Sequence, residues 1–175
     1  MVKRKKAIFF DRDGTLIKSF VSKKKIPRAI SNIKDFRLLT NVKSVVNHFA
    51  KTYLIIVITN QPDVSRGKNL KQNVVKINLK LKKYLNLDQI YTCYSDNDNN
   101  YFRKPNPGMI FKAKRKYNLI LKESYVVGDR DKDILAGIRA NCKTILIKKS
   151  YNRKLLSKPD YYIKNFKDLL KIIKS

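Results

Sequence analysis

Five short apolar runs, none interrupted by a charge until its end, set the tightest limit on what this chain can become. They are AIFF (7–10), YLIIVIT (53–59), QIYTCYS (89–95), SYVVG (124–128) and TILIK (144–148), with YYI (161–163) as a shorter last strand at an edge. Apolar and polar residues do not alternate along them, as they would in strands with one wet face, so these strands are expected to be covered on both sides. Helical patterns fill the gaps. In 70–85, Leu70, Val74, Ile77, Leu81 and Tyr84 recur at three- and four-residue steps with lysines largely on the other faces, and 42–51, 107–117, 131–141 and 166–174 also read as helices. Strand and helix in alternation predict an α/β chain: a central parallel sheet flanked by helices, with ligands at the carboxyl ends of the strands.

At 175 residues the length suits one domain, expected over 1–175, and 43% hydrophobic residues are enough to bury a core. Disordered, collagen-like and disulfide-rich classes are excluded: Gly and Pro number five each, and Cys93 and Cys142 lie far apart, as expected of reduced thiols. No apolar run reaches membrane-spanning length, and the apolar stretch after MVKRKK stops at Asp11, so neither a membrane partner nor export by a signal peptide is expected. A cytoplasmic monomer is the expectation.

Lys and Arg total 41 against 13 Asp and Glu, a net charge of +28. Such a field suits a polyanion partner. The lysines are nevertheless spread along the whole chain, and Asn, Ile, Tyr and Phe, all encoded by A/T-rich codons, are abundant with them. Codon bias therefore explains the charge better, and a nucleic-acid partner is open but not favoured. In a chain so poor in acids and glycines, their positions are informative. Asp11 and Asp13, then Asp129, Asp131 and Asp133, fall in two strings, and all five glycines lie in or beside the segments described next.

In FFDRDGT, two carboxylates two residues apart follow the first apolar run, with Gly14 for a sharp turn. Such a pair can hold Mg²⁺ against a phosphate, one acid serving as nucleophile and the other as proton shuttle. VVGDRDKD sets Asp129 at a second strand end, where it and Asp133 can complete an oxygen-ligand site. IVITN ends a third run with the hydroxyl of Thr59 and the amide of Asn60. Arg103 and Lys104, before Pro105, supply positive charge for a phosphoryl transition state. The segment 18–41 is irregular and can cover the site as a cap or loop, and SDNDNN (95–100) reads as a plain turn-rich loop. His48, the only histidine, is read as structural or exposed.

FFDRDGTL, VITNQPDVSRG, FRKPNPGM and VVGDRDKDILAG stand in the order found in the haloacid dehalogenase superfamily of phosphatases, which this chain resembles from about residue 7 to 147. RKPxPGM together with TNQ is similar to the branch of heptose bisphosphate and histidinol-phosphate phosphatases. The resemblance implies a Rossmann-like fold without a large cap domain. It implies that Asp11 is the nucleophile, that Asp13 is the general acid and base, and that Thr59 and Lys104 bind the transferring phosphoryl group. Asn60, Arg103 and Arg130 would contact substrate, and Mg²⁺ would be held by Asp11, the backbone carbonyl of Asp13, and Asp129.

Two departures accompany the resemblance. The branch's heptose phosphatases carry three Cys and one His in a zinc loop, where this chain has Cys93, Ser95, Asn100 and Phe102, so no zinc is expected. Pro62 and Asp63 replace the small residues usual after TNQ. The expected activity is Mg²⁺-dependent hydrolysis of a small phosphorylated sugar, a heptose 1,7-bisphosphate first, through an aspartyl-phosphate. Histidinol phosphate and a nucleic-acid 3′-phosphate are the alternative substrates, and a non-enzymatic binding module is the alternative without chemistry.

Overall fold

A computed structural model describes residues 5–22, 27–152 and 155–174. Six strands form one parallel sheet: β1 (Ala7–Phe10), β4 (Leu54–Asn60), β5 (Gln89–Cys93), β6 (Tyr125–Gly128), β7 (Lys143–Ile147) and β8 (Tyr161–Ile163), in the order β5-β4-β1-β6-β7-β8. After β1 the chain builds outward through β4 and β5, then returns to lay β6, β7 and β8 on the other side. Central β1 therefore pairs with both halves, Phe10 opposite Val57 on one flank and Val127 on the other. The carboxyl end of β1 lies where the strand order reverses, the place at which open α/β sheets bind ligands.

Successive side chains of a strand point to opposite faces, and two apolar clusters result. Ile8 and Phe10 of β1 join Ile55, Val57, Val127 and Ile145 in a cluster with α1 (Val42–Phe49), α2 (Lys71–Tyr84) and α5 (Leu169–Ile172). Ala7 and Phe9 join Ile56, Ile58 and Val126 in a second cluster with α3 (Gly108–Tyr117) and α4 (Asp131–Arg139). All four β1 side chains are fully buried, which is why the run is uninterrupted.

The expected strands form with boundary shifts of one or two residues. On α2, Val74, Ile77 and Leu81 are buried, whereas Leu70 and Tyr84, at the ends of the stripe, are exposed. The helix expected over 166–174 begins as a 3-10 turn, Phe166–Asp168, because the Asp168 carboxylate accepts from the Lys164 and Asn165 amides and tightens the first turn; only Leu169–Ile172 is α-helical. Within 18–41, the strands β2 (Phe20–Val21) and β3 (Pro27–Arg28) form an antiparallel hairpin, followed by a 3-10 turn at Ile33–Asp35. Residues 23–26 of that segment lie outside the described residues.

Helix α4 lies against β6 and β7 at Gly137, where a Cβ would press into Thr144 and Val126. Because α4 carries Asp131 and Asp133, this close approach also sets the depth of the site. Gly137→Val is expected to push the helix off the sheet and destabilise the protein by about 1–3 kcal/mol, read as a lower urea midpoint at unchanged m-value.

Candidate active site

The ends of β1, β4 and β6 and the loop after β5 converge at one edge of the sheet. The Asp11 amide donates to the Val127 carbonyl (2.9 Å), which continues the β1–β6 ladder by one residue and fixes the backbone of that acid. Gly14 then turns the chain at φ 93°, a left-handed conformation that side-chain-bearing residues avoid, and an added Cβ would meet the Asp129 carboxylate and the Tyr151 hydroxyl. The amides of Leu16 and Ile17 both donate to the Arg12 carbonyl at 3.0 Å, closing the turn.

Lys104 supplies the central cation. Its Nζ donates to Asp11 Oδ1 (2.6 Å), Asp133 Oδ1 (2.6 Å) and the Ile58 carbonyl (2.8 Å). Burial opposes its charged form, but the Asp11 and Asp133 carboxylates outweigh that and hold its pKa above the ordinary lysine value. Asn60 spends its amide on the Lys104 main chain, Nδ2 donating to the carbonyl (2.9 Å) and Oδ1 accepting from N–H (3.1 Å). Asn60 lines the cavity, yet its hydrogen bonds go to the residue that carries the ammonium.

One carboxylate oxygen from each of Asp11, Asp129 and Asp133 lies within 4.8 Å of the others. The resemblance puts Asp13 in the metal set through its carbonyl; its carboxylate lies outside this trio, and the carboxylate of Asp133 stands in it. The Asp133 side chain is held by two partners, Oδ1 by Lys104 and Oδ2 by the Arg130 amide (3.0 Å), at the start of α4. Burial, with Asp133 and Asp129 nearby, raises Asp11 to about 7 despite Lys104; burial and Asp133 raise Asp129 to about 6. A buried all-oxygen trio with one ammonium beside it is short of positive charge, and a hard divalent cation of the Mg²⁺ type fits that deficit.

The Asp13 carboxylate is held by three donors: Arg12 Nε (2.9 Å), Gln61 Nε2 (2.9 Å) and the Ile30 amide (3.2 Å). Gln61 also donates to Thr59 Oγ1 (2.8 Å), so one amide links the ends of β1 and β4. Arg12 is completely buried, and its NH1 donates to Asn78 Oδ1 on α2 (2.7 Å). Arg12 and Gln61 sit inside the sequence motifs, whose pattern does not mark them as site residues; Tyr151, whose hydroxyl donates to Asp129 Oδ2 at 2.5 Å, lies outside every motif and carries no sequence signal.

A cavity of about 350 Å³ opens over these groups. Arg28, Arg66, Lys68, Arg103, Arg130 and Lys132 line it together with Lys104, as do Pro62 and Asp63. Arg103 Nε donates to Asp98 Oδ1 (2.9 Å), and Lys132 Nζ to the same oxygen (2.8 Å), which holds the Asp98 carboxyl down at about 2. Asp98 belongs to the string read as a plain loop, so that loop also fixes two cavity cations. At the positions that the resemblance sets against a zinc loop, Cys93 Sγ lies 3.8 Å from Asn100 Oδ1, which accepts from the Phe102 amide (2.9 Å). Arg130 NH2 donates to the Pro27 carbonyl (2.7 Å), tying the irregular segment to the cavity wall. Among the described residues no helix is long and apolar enough to cross a membrane.

Residues 6–162 match the family described as polynucleotide kinase 3 phosphatase. A D-glycero-beta-D-manno-heptose-1,7-bisphosphate 7-phosphatase of Helicobacter pylori is 33% identical over 182 residues, covering 97% of this chain and 98% of the relative. A D-glycero-alpha-D-manno-heptose-1,7-bisphosphate 7-phosphatase of Campylobacter jejuni is 29% identical, covering 97% and 96%. Among solved structures, the D,D-heptose 1,7-bisphosphate phosphatase of B. bronchiseptica, complexed with magnesium and phosphate, has the same fold: TM-score 0.80 at 23% identity, over 95% of this chain and 99% of that one.

The raised carboxyls set a pH dependence for the cation-free protein. Asp11 and Asp129 hold protons in the fold up to about 7 and about 6, whereas in the unfolded chain they release them near 4. The fold thus binds more protons than the unfolded chain, and these two groups lower stability as pH rises from about 4 to about 7. In chelator, the urea midpoint is expected to fall across that window. Divalent-cation affinity is expected to rise across it, with proton release detected by calorimetry in buffers of different ionisation enthalpy.

Proposed function

The chain belongs to the polynucleotide kinase 3 phosphatase family within the haloacid dehalogenase superfamily, and from that premise we propose that it is a phosphatase of D-glycero-D-manno-heptose 1,7-bisphosphate, acting at the 7-phosphate through an aspartyl-phosphate. The observation that carries the reading is the placement of the Asp11 carboxylate at the end of the central strand, 2.6 Å from a buried ammonium and within 4.8 Å of two further carboxylates. End-to-end similarity to the Helicobacter pylori heptose bisphosphatase supports the substrate.

Asp11 attacks phosphorus in line as the bond to the sugar oxygen breaks, and Asp13 gives that oxygen its proton. Asp13 then takes a proton from water, which attacks phosphorus and releases phosphate from Asp11. The donors on Asp13 hold its carboxylate in place between these two transfers. Thr59 and Lys104 bind the phosphoryl oxygens, Lys104 by turning one hydrogen from its protein acceptors to the phosphate, and the buried ammonium balances charge as it develops in a site where water does not screen it. Asn60 acts by holding the Lys104 backbone. Arg103 and Arg130, with the other cavity cations, receive the sugar and its second phosphate. Mg²⁺ would be held by Asp11, Asp129 and the Asp13 carbonyl, with Asp133 beside them, and when bound it supplies the charge that lets a carboxylate meet a phosphate. No zinc takes part. The enzyme works as a cytoplasmic monomer.

A second reading, a nucleic-acid 3′-phosphatase, is favoured by the basic lining of the cavity and the net charge of +28. One set of assays separates the two. With Mg²⁺, both anomers of heptose 1,7-bisphosphate, histidinol phosphate and a 3′-phosphorylated oligonucleotide are offered in turn. Turnover of a heptose bisphosphate is expected, absent in Asp11→Asn and reduced by roughly 10²–10³ in Lys104→Met. Turnover of the oligonucleotide alone, falling steeply with salt, would replace the sugar reading with the second.

A further inference from the structure

The mechanism above gives no task to the phenol of Tyr151, a polar group at the carboxylate trio. Its hydroxyl donates to Asp129 Oδ2 (2.5 Å), while Thr15 Oγ1 donates to Asp129 Oδ1 (3.3 Å), so each oxygen of that carboxylate has its own donor. Asp129 is fully buried, and its carbonyl accepts from Asn152 Nδ2 (2.8 Å). Asn152 also donates to the Ile147 carbonyl (2.8 Å) and accepts from the Lys149 amide (2.8 Å), which anchors the loop after β7 to the strand end. That loop brings Tyr151 over Gly14, at the one glycine where any side chain would run into both the phenol and the carboxylate.

We propose that Tyr151 is a positioning residue for the divalent cation, acting through Asp129. This inference rests on the reading of Asp11, Asp129 and Asp133 as a cation site. A carboxylate with a donor on each oxygen cannot turn about its Cβ–Cγ bond without losing one of them, so the side chain is set before the ion arrives. Each oxygen keeps a lone pair for the ion, because a hydrogen bond uses only one. Outer partners of this kind, when removed, cost metal affinity about 10–100-fold.

The test is Tyr151→Phe, which removes the hydroxyl and keeps the ring. Mg²⁺ dissociation constants are measured by calorimetry on wild type and variant, with the melting temperature of each taken in chelator and in Mg²⁺. The expected result is a dissociation constant higher by about 10-fold or more, a smaller Mg²⁺-induced rise in melting temperature, and little change in chelator. Equal Mg²⁺ affinity in the two proteins overturns the inference. So does a variant that is unfolded in chelator and not restored by Mg²⁺, since the phenol would then be structural. Failure of the wild type itself to bind Mg²⁺ is a different outcome: it removes the cation site from the proposed function.

Discussion

Lys104 Nζ spends its three hydrogens inside the protein, on Asp11 of the central strand turn, Asp133 of α4 and the Ile58 carbonyl of β4. One atom therefore ties together the two halves of the sheet and the loop that follows β5. Ion pairs buried this deeply add little stability over an apolar filling, because each charge loses its water. Their effect is on arrangement: with Lys104 missing, Asp11 and Asp133 are buried carboxylates without that compensation. Asn60 clamping the Lys104 backbone and the Arg130 amide holding Asp133 are fixtures on the two ends of that pair.

The cluster remains unbalanced. Three carboxylates meet one ammonium, and the raised pKa values of Asp11 and Asp129 are the mark of that excess. A protein selected for stability alone has no use for such a centre; one that receives a cation and then an anionic ester does. The basic lining of the cavity gains a local meaning on this view, separate from the lysines scattered over the rest of the surface. Several of its cations are already fastened, Arg103 and Lys132 to Asp98 and Arg66 to Asp63 and Asp96.

The sheet was legible because its strands are buried on both faces and so are written as unbroken apolar runs. Residues at the carboxyl ends of those runs, Asp11, Thr59, Asp129 and the separate Lys104, are the ones the fold gathers, since parallel strands deliver their ends to one edge. Less legible was anything that depends on contact between distant loops. Asp98 looked like one polar residue in a turn, and Tyr151 like one of ten tyrosines. Arg12 sat in view between two acids, but that it would be entirely buried and reach α2 is a matter of tertiary packing. The hairpin of β2 and β3 has no signature in the sequence because two-residue strands carry no periodicity.

Because β1 is central and its flanks come from two successive stretches of sequence, β4 and β5 first and β6 to β8 after them, the ribosome delivers this centre in instalments. By the time β5 and Lys104 have been made, Asp11 and its cation are both present in the chain, but β6, which pairs with the other edge of β1, is not. A chain at that stage carries Asp11 and Lys104 and none of the later carboxylates. The full trio of carboxylates exists only once the final third of the polypeptide has been added.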